Sequence, residues 1–252
     1  MTKTDVDIIG NLASYKGDLA KNRPMIYTLR AVMAGFYLVV AIVLSYTTGA
    51  LVNKISPELA KIASAMTFSI ALALICFLGG ELFTGSNLVM GVGLYSGKTD
   101  TKDLIRVFCL SYLGNLIGNM TISYIFVKSG ASFDLLREYI QPIVETKLAL
   151  SATEMVLRGI LCNFIVCISV MASIKMKSES AKMTVMFWCI FAFVVAGFEH
   201  SIANMGTFSM AYFMGIDIPL MPLLNSMFWV TIGNILGGTV LYSLPLYKMA
   251  TD

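Results

Sequence analysis

The sequence predicts an all-α membrane protein of six transmembrane helices, arranged as two inverted three-helix repeats in which the second and fifth helices are broken. Three observations predict it. Of 252 residues 57% are hydrophobic and 13% charged, with a mean hydropathy of +0.78, too apolar for a domain that must carry a solvated shell. The apolar residues gather into six runs, each long enough to supply the twenty or so residues a helix needs to cross a bilayer. The two halves of the chain also share short motifs in the same order.

Residues 1–24 precede the first run. Val6, Ile9, Leu12 and Leu19 are spaced for a short amphipathic helix lying on the membrane surface or against a neighbour. No apolar core followed by a cleavage motif occurs there, so no signal peptide is expected. The six runs cover 25–52, 62–95, 104–127, 155–176, 183–214 and 218–247. The second and fifth contain "CFLGGELFTGSNLVMGVG" and "AGFEHSIANMGTFSM", which put Gly, Glu, Thr, Ser and Asn at lipid depth and mark broken helices. The fourth has its own start signal, because Ser151 and Glu154 are spaced as a capping box with Leu150 and Met155 as its hydrophobic staple. Lysine and arginine concentrate in residues 3–30, 98–106 and 175–182 and at Lys248, which sets both termini in the cytoplasm. The outer segment before the fourth run contains Pro142 and Lys147, and its acids offset its bases.

The internal repeat fixes the architecture. "RAVMAGF" from Arg30 resembles "RGILCNF" from Arg158, 128 residues on. Gly79-Gly80-Glu81 answers Gly197-Phe198-Glu199 at an offset of 118, with Asn87 and Asn204 following, and "GNLIG" from Gly114 answers "GNILG" from Gly233 at 119. Three spans per half force the second half to enter the membrane inverted, giving repeats over 25–127 and 151–248 within one domain of 25–248. Gly114, Gly118, Gly233, Gly237 and Gly238 read as close-packing sites between helices.

Irregular backbone survives at membrane depth only where protein or a watery cavity satisfies it, so the two interruptions are expected to meet. Their free helix ends carry amide donors and partial positive charge, which suits a small anion. His200 is the only histidine, beside the acid Glu199, and an ionisable group in a membrane segment points to function. Helix packing is the plain alternative. Glu81 and Glu199 read as ties for the broken backbone, Thr84 as a cap for the resumed helix or a pore group, Asn163 as helix glue and Lys147 as an ordinary loop lysine or an anion attractor. The net charge is only +3 and no basic stripe occurs, so nucleic acid is not a partner. Cys76, Cys109, Cys162, Cys167 and Cys189 show no ligand spacing and read as packing residues, so no metal or cofactor is expected.

"GGELFTG", "GILCNFIVC" and "FEHSIANM", at residues 79–85, 159–167 and 198–205, together resemble the formate/nitrite transporter family across essentially the whole chain. The overall likeness is greatest to the bacterial hydrosulfide channels, and Ile168 and Ser169 are a mild departure from the family pattern. The resemblance implies a homopentamer in the cell membrane with an aquaporin-like pore in each protomer. It implies that Thr84 faces His200 at the pore midpoint and that Leu82 and Phe83 form apolar constrictions. By spacing alone, Phe68, Leu72 and Phe193 join them. Lys147 and Asn163 then belong to a polar set near the pathway, with Glu199 linked to it.

The substrates so implied are small inorganic or one-carbon anions: hydrosulfide, formate and nitrite. A bare anion loses much hydration energy in an apolar constriction, whereas its conjugate acid does not. Two routes follow. His200, whose ordinary pKa lies near neutrality, donates a proton to the anion, or it stays neutral and only hydrogen-bonds the solute while the lysine field draws anions in and water supplies the proton. Two other functions compete. An aquaporin-like channel for neutral solutes has the same architecture but uses Asn-Pro-Ala pairs, which are absent. An intramembrane serine hydrolase would need Ser86 or Ser201 within reach of His200.

Overall fold

A computed structural model describes residues 2–251, and among these every regular element is a helix. Helix α1 (Lys3–Asn22) is the expected amphipathic segment. It starts at a reciprocal capping box between Thr2 and Asp5 and buries Val6, Ile9 and Leu19 against the rest of the bundle. Pro24 opens α2 (Pro24–Asn53), where its missing N–H costs nothing.

The second run divides into three pieces. Ser56 caps α3 (Pro57–Phe68), which passes through Ser69 into α4 (Ile70–Phe77). At that joint the hydroxyls of Thr67 and Ser69 donate back to the carbonyls of Ala63 and Ala65, a competition with the helical ladder that bends helices. Beyond α4 Gly79 takes a left-handed φ of 74°, and helix resumes only at α5 (Phe83–Tyr95). The fifth run breaks in the same way. Helix α9 (Glu179–Ala196) ends at left-handed Gly197, φ 77°, and α10 (Ser201–Phe213) follows. In each case the next residue donates its N–H five residues back, Gly80 to Ile75 and Phe198 to Phe193. This is the Schellman closure that a left-handed glycine permits.

The remaining helices are α6 (Thr101–Lys128), α7 (Phe133–Leu148), α8 (Ala152–Lys175), α11 (Leu220–Ile235), a π-helical stretch (Leu236–Ser243) and α12 (Leu244–Thr251). Two of them differ from expectation. Among the described residues five stretches are both long and apolar enough to cross a bilayer, namely α2, α3 with α4, α8, α9 and the run from Leu220 to Ala250. Helix α6 has the length but buries Ser111, Asn115, Asn119 and Ser123, so its polar face is turned into the protein instead of being replaced by apolar residues. The outer segment holding Lys147 is itself helical, α7, with Pro142 inside it. Its apolar face of Leu136, Ile140 and Val144 is buried, and that packing carries the helix through a proline that by itself disfavours a helix interior.

The two halves repeat in space. Helix α2 lies against α6 where Gly118 meets the Val32 carbonyl and Gly35, and α8 lies against α11 where Gly233 meets the Val156 carbonyl and Gly159. A side chain at Gly118 or Gly233 would strike backbone that cannot move aside. The half-helices then cross over: α5 packs on α8 and the π-helical stretch, α10 on α6 and α2. Each broken helix is thus seated in the opposite half, and the two breaks come together at the centre.

Candidate functional site

At that centre the Thr84 hydroxyl lies 3.0 Å from His200 Nε2, between residues 116 apart in sequence. Thr84 does not cap α5. His200 is itself the N-cap of α10, and its Nδ1 accepts the N–H of Ala203 at 3.1 Å. A nitrogen that accepts from an amide carries no proton, so the neutral ring holds its hydrogen on Nε2 and presents it to Thr84.

An apolar throat adjoins this pair. Phe68, Leu72, Leu82, Phe193 and His200 line it, and so does Val166, which sequence reasoning did not single out. Phe68 and Phe193 meet edge to face with ring centres 6.5 Å apart, and Phe193 stacks on the imidazole at 6.0 Å. The free space inside is about 10 Å³, room for about one water. Phe83 is not part of the lining. It opens α5, and successive helical side chains diverge by a large angle, so Leu82 faces the throat while the Phe83 ring packs edge-on against Phe108 and Tyr112.

Two asparagines hold the breaks open. Asn115 donates to the carbonyls of Ala31 and Glu81 and accepts the N–H of Phe83. In the other half Asn234 donates to the carbonyls of Gly159 and Glu199 and accepts the N–H of Ser201. The backbone ties expected of Glu81 and Glu199 are therefore made by these asparagines. Both were visible in the "GN" of each repeat, but only as neighbours of packing glycines. The main chain adds the matching bonds Glu81 N–H to Arg30 O and Glu199 N–H to Arg158 O.

With the backbone held by other groups, the two carboxylates are free to pair. Glu199, 4% exposed, accepts from Lys147 Nζ at 2.8 Å and from Asn204 Nδ2 at 2.7 Å. Glu81 pairs with Lys16 from α1 and accepts from the Tyr27 hydroxyl. Each half thus brings a lysine from the amphipathic helix ahead of its first span to the acid at its break. Lys16 escaped the sequence reading because nothing local distinguishes it. Asn163 does not join either set. It lies on the α8 face toward α11 and donates to the Asn234 carbonyl at 2.6 Å, the helix-glue role. Of the cysteines, Cys162 and Cys167 are buried while Cys109 is exposed, so packing against the core accounts for only some of them.

Lys147, Glu199 and Asn204 line a vestibule of about 750 Å³ that ends at Phe68, Phe193 and His200. Neither serine reaches the imidazole: Ser86 sits 3.5 Å from Lys16 Nζ, and the Ser201 hydroxyl, among the described residues, has no hydrogen-bond partner.

Two broken helices meeting at a narrow apolar throat, with a hydrogen-bonded imidazole on its wall and a charged vestibule above, define a membrane transport protein. Comparison with known proteins agrees. The sequence profile of the formate/nitrite transporters matches residues 6–248. The nitrite transporter NirC of Salmonella typhimurium is 30% identical over 229 residues, covering 90% of this chain and 84% of that protein. A solved FNT family ion channel superposes with a TM-score of 0.92 at 28% identity, over 98% of this chain and 99% of that one. A pentameric formate channel with formate bound gives 0.80 at 27% identity, over 91% and 98%. The chain belongs to the formate/nitrite transporter family. Its relatives are integral membrane transporters and channels, not enzymes.

Proposed function

We propose that this protein is a channel for small monovalent anions of weak acids, formate, nitrite and hydrosulfide, in a bacterial cell membrane. In this reading α2, α3 to α5, α6, α8, α9 with α10, and α11 to α12 make six crossings as two inverted repeats, residues 25–127 and 151–248. The protomer is aquaporin-like, five protomers assemble, and residues 1–24 and both termini lie in the cytoplasm. The nitrite transporter and the pentameric formate channel among its similar proteins support the substrate class and the assembly.

One observation carries the mechanism: among the described residues that line a throat of about 10 Å³ the polar one is His200, whose Nε2 is bonded to the Thr84 hydroxyl and whose other nitrogen already accepts an amide. Moving an ion into such a throat costs several kcal/mol or more, because its hydration has no replacement. A neutral acid escapes that cost. Protonating the ring on both nitrogens would break its bond with Ala203 N–H, so the geometry favours the second route. The vestibule, with Lys147 held at its wall by Glu199, gathers the anion. The anion takes its proton from water and passes as the neutral acid. Thr84 and the Nε2–H of His200 supply hydrogen bonds midway.

Flux into proteoliposomes with simultaneous recording of internal pH tests the proposal. Formate, nitrite and hydrosulfide should enter with one proton each, acidifying the lumen in proportion to uptake. Anion uptake with no acidification would sink the neutral-acid route, and uptake of glycerol alone would replace the anion channel with a neutral-solute channel.

A further inference from the structure

The mechanism leaves unused a pair of hydroxyls on the vestibule wall. The Tyr46 hydroxyl of α2 and the Thr207 hydroxyl of α10 lie 2.7 Å apart, and both residues line the cavity. Thr207 continues a stripe on α10, because His200, Ala203, Asn204 and Thr207 recur at helical spacing and all four face the vestibule. A solute descending toward the throat therefore meets Tyr46 and Thr207 about a helical turn before Asn204 and Glu199.

Both protons of the pair are engaged, but in bonds that an anion can replace: with Thr207 donating to a carbonyl, the Tyr46 hydroxyl donates to Thr207 Oγ1. The Thr207 bond is a long one, Oγ1 to the Ala203 carbonyl at 3.2 Å, and an anion entering between the hydroxyls takes both protons in place of these neutral acceptors. The contact with Ala203 is the weak back-bond of a helical threonine and is easily exchanged. The tyrosine itself is firmly placed. Its ring packs edge-on to Tyr139 at 6.0 Å, the Tyr139 hydroxyl is 3.1 Å from Ser64 Oγ, and Ser64 donates to the Ser45 carbonyl. Gly49 makes this cluster possible, since a Cβ there would run into the Ser64 and Tyr139 hydroxyls.

We propose that Tyr46 and Thr207 form a two-hydroxyl selectivity site that favours small anions with two terminal oxygens, such as formate and nitrite, over hydrosulfide. This rests on the channel reading above and names which member of its substrate class the vestibule prefers. Two donors side by side offer both oxygens of a bent anion a charge-assisted hydrogen bond at once. Hydrosulfide presents a single large, weakly accepting sulfur, so the same two hydroxyls give it longer and weaker bonds than they give a pair of anionic oxygens. Neither hydroxyl carries charge, so the pair sorts anions by shape and acceptor strength, while attraction is left to the lysine below.

Proteoliposome flux of formate, nitrite and hydrosulfide at one pH, for wild type, Tyr46→Phe, Thr207→Val and Thr207→Ser, tests the site. Tyr46→Phe and Thr207→Val should each lower formate and nitrite flux relative to hydrosulfide by about tenfold, the worth of one charge-assisted bond. Thr207→Ser, which keeps the hydroxyl, should hold the wild-type ratio, and retained hydrosulfide flux is the check that each variant is folded. An unaltered ratio in Tyr46→Phe and Thr207→Val, or an equal loss for all three anions, overturns the site and leaves the channel reading standing. A wild-type protein that passes glycerol and none of the anions overturns both.

Discussion

His200 is held by two bonds of opposite sense, giving from Nε2 toward Thr84 and receiving at Nδ1 from Ala203. Asparagine retains a donor and an acceptor but cannot titrate. His200→Asn should therefore assemble normally and change the pH dependence or anion selectivity of flux. Loss of the folded protein, with no altered transport in any assembled fraction, would count for a packing role. Leu82 is the neighbouring test. It lines the throat at 6% exposure, so Leu82→Ala should widen the passage and raise ion leak measurably in planar bilayers, and unchanged conductance would remove it from the constriction. At this scale the sequence showed the residue types well and their directions poorly. His200 and Thr84 stood out as polar groups among apolar ones. Phe83 and Leu82 looked alike until their orientation on α5 separated them, and Val166 was one valine among many.

Between elements, the broken helices depend on Asn115 and Asn234 more than on the acids beside the glycines. Each asparagine satisfies three buried backbone groups, and leaving one such group unpaired costs about 1–3 kcal/mol. Asn115→Ala and Asn234→Ala should each destabilise the protein by about 3 kcal/mol or more in thermal denaturation in detergent. A loss well below that would mean the breaks are held by the main chain alone. Helix α1 offers a pH test. Lys175 donates to the Asp5 carboxylate at 2.8 Å, and this bond, with the Thr2 amide next, lowers the Asp5 pKa from 3.8 to about 2. A depressed carboxylate stabilises the docked helix fully above its ordinary pKa and loses that contribution as pH falls toward the lowered one. The protection that Asp5 gives α1 against hydrogen exchange should therefore be constant near neutrality and be lost between about pH 4 and 2. Asp5→Asn should exchange faster already at pH 7 and lose much of that acid step; an unchanged profile would mean that other contacts dock α1.

On the scale of the molecule, the seating of α5 in the second half and α10 in the first makes the throat a property of one protomer. In the proposed pentamer, assembly would surround five such passages and would not create them. Native mass spectrometry from mild detergent should give five times the 27.5 kDa chain mass, and a stable monomer with full flux would separate transport from assembly. The outward faces of α2, α6 and α11 carry exposed Leu29, Ile117, Ile125 and Phe228, apolar surface that lipid or neighbouring protomers must cover.

Hydropathy, interruptions and repeated motifs are additive along a chain, and so a helical membrane protein with two breaks and two homologous halves could be read directly from the letters. Pairings are not additive. Lys16 with Glu81 and Lys147 with Glu199 join residues 65 and 52 apart, and which lysine meets which acid depends on how each helix is rotated about its axis and how far it slides past its neighbours. A turn of one residue moves a side chain to another face, a difference that leaves composition and spacing untouched. Helix α6 falling below the apolar threshold, α7 folding through Pro142, and asparagines in place of acids at the breaks all follow from that: buried polar groups find partners only after the bundle has closed around them.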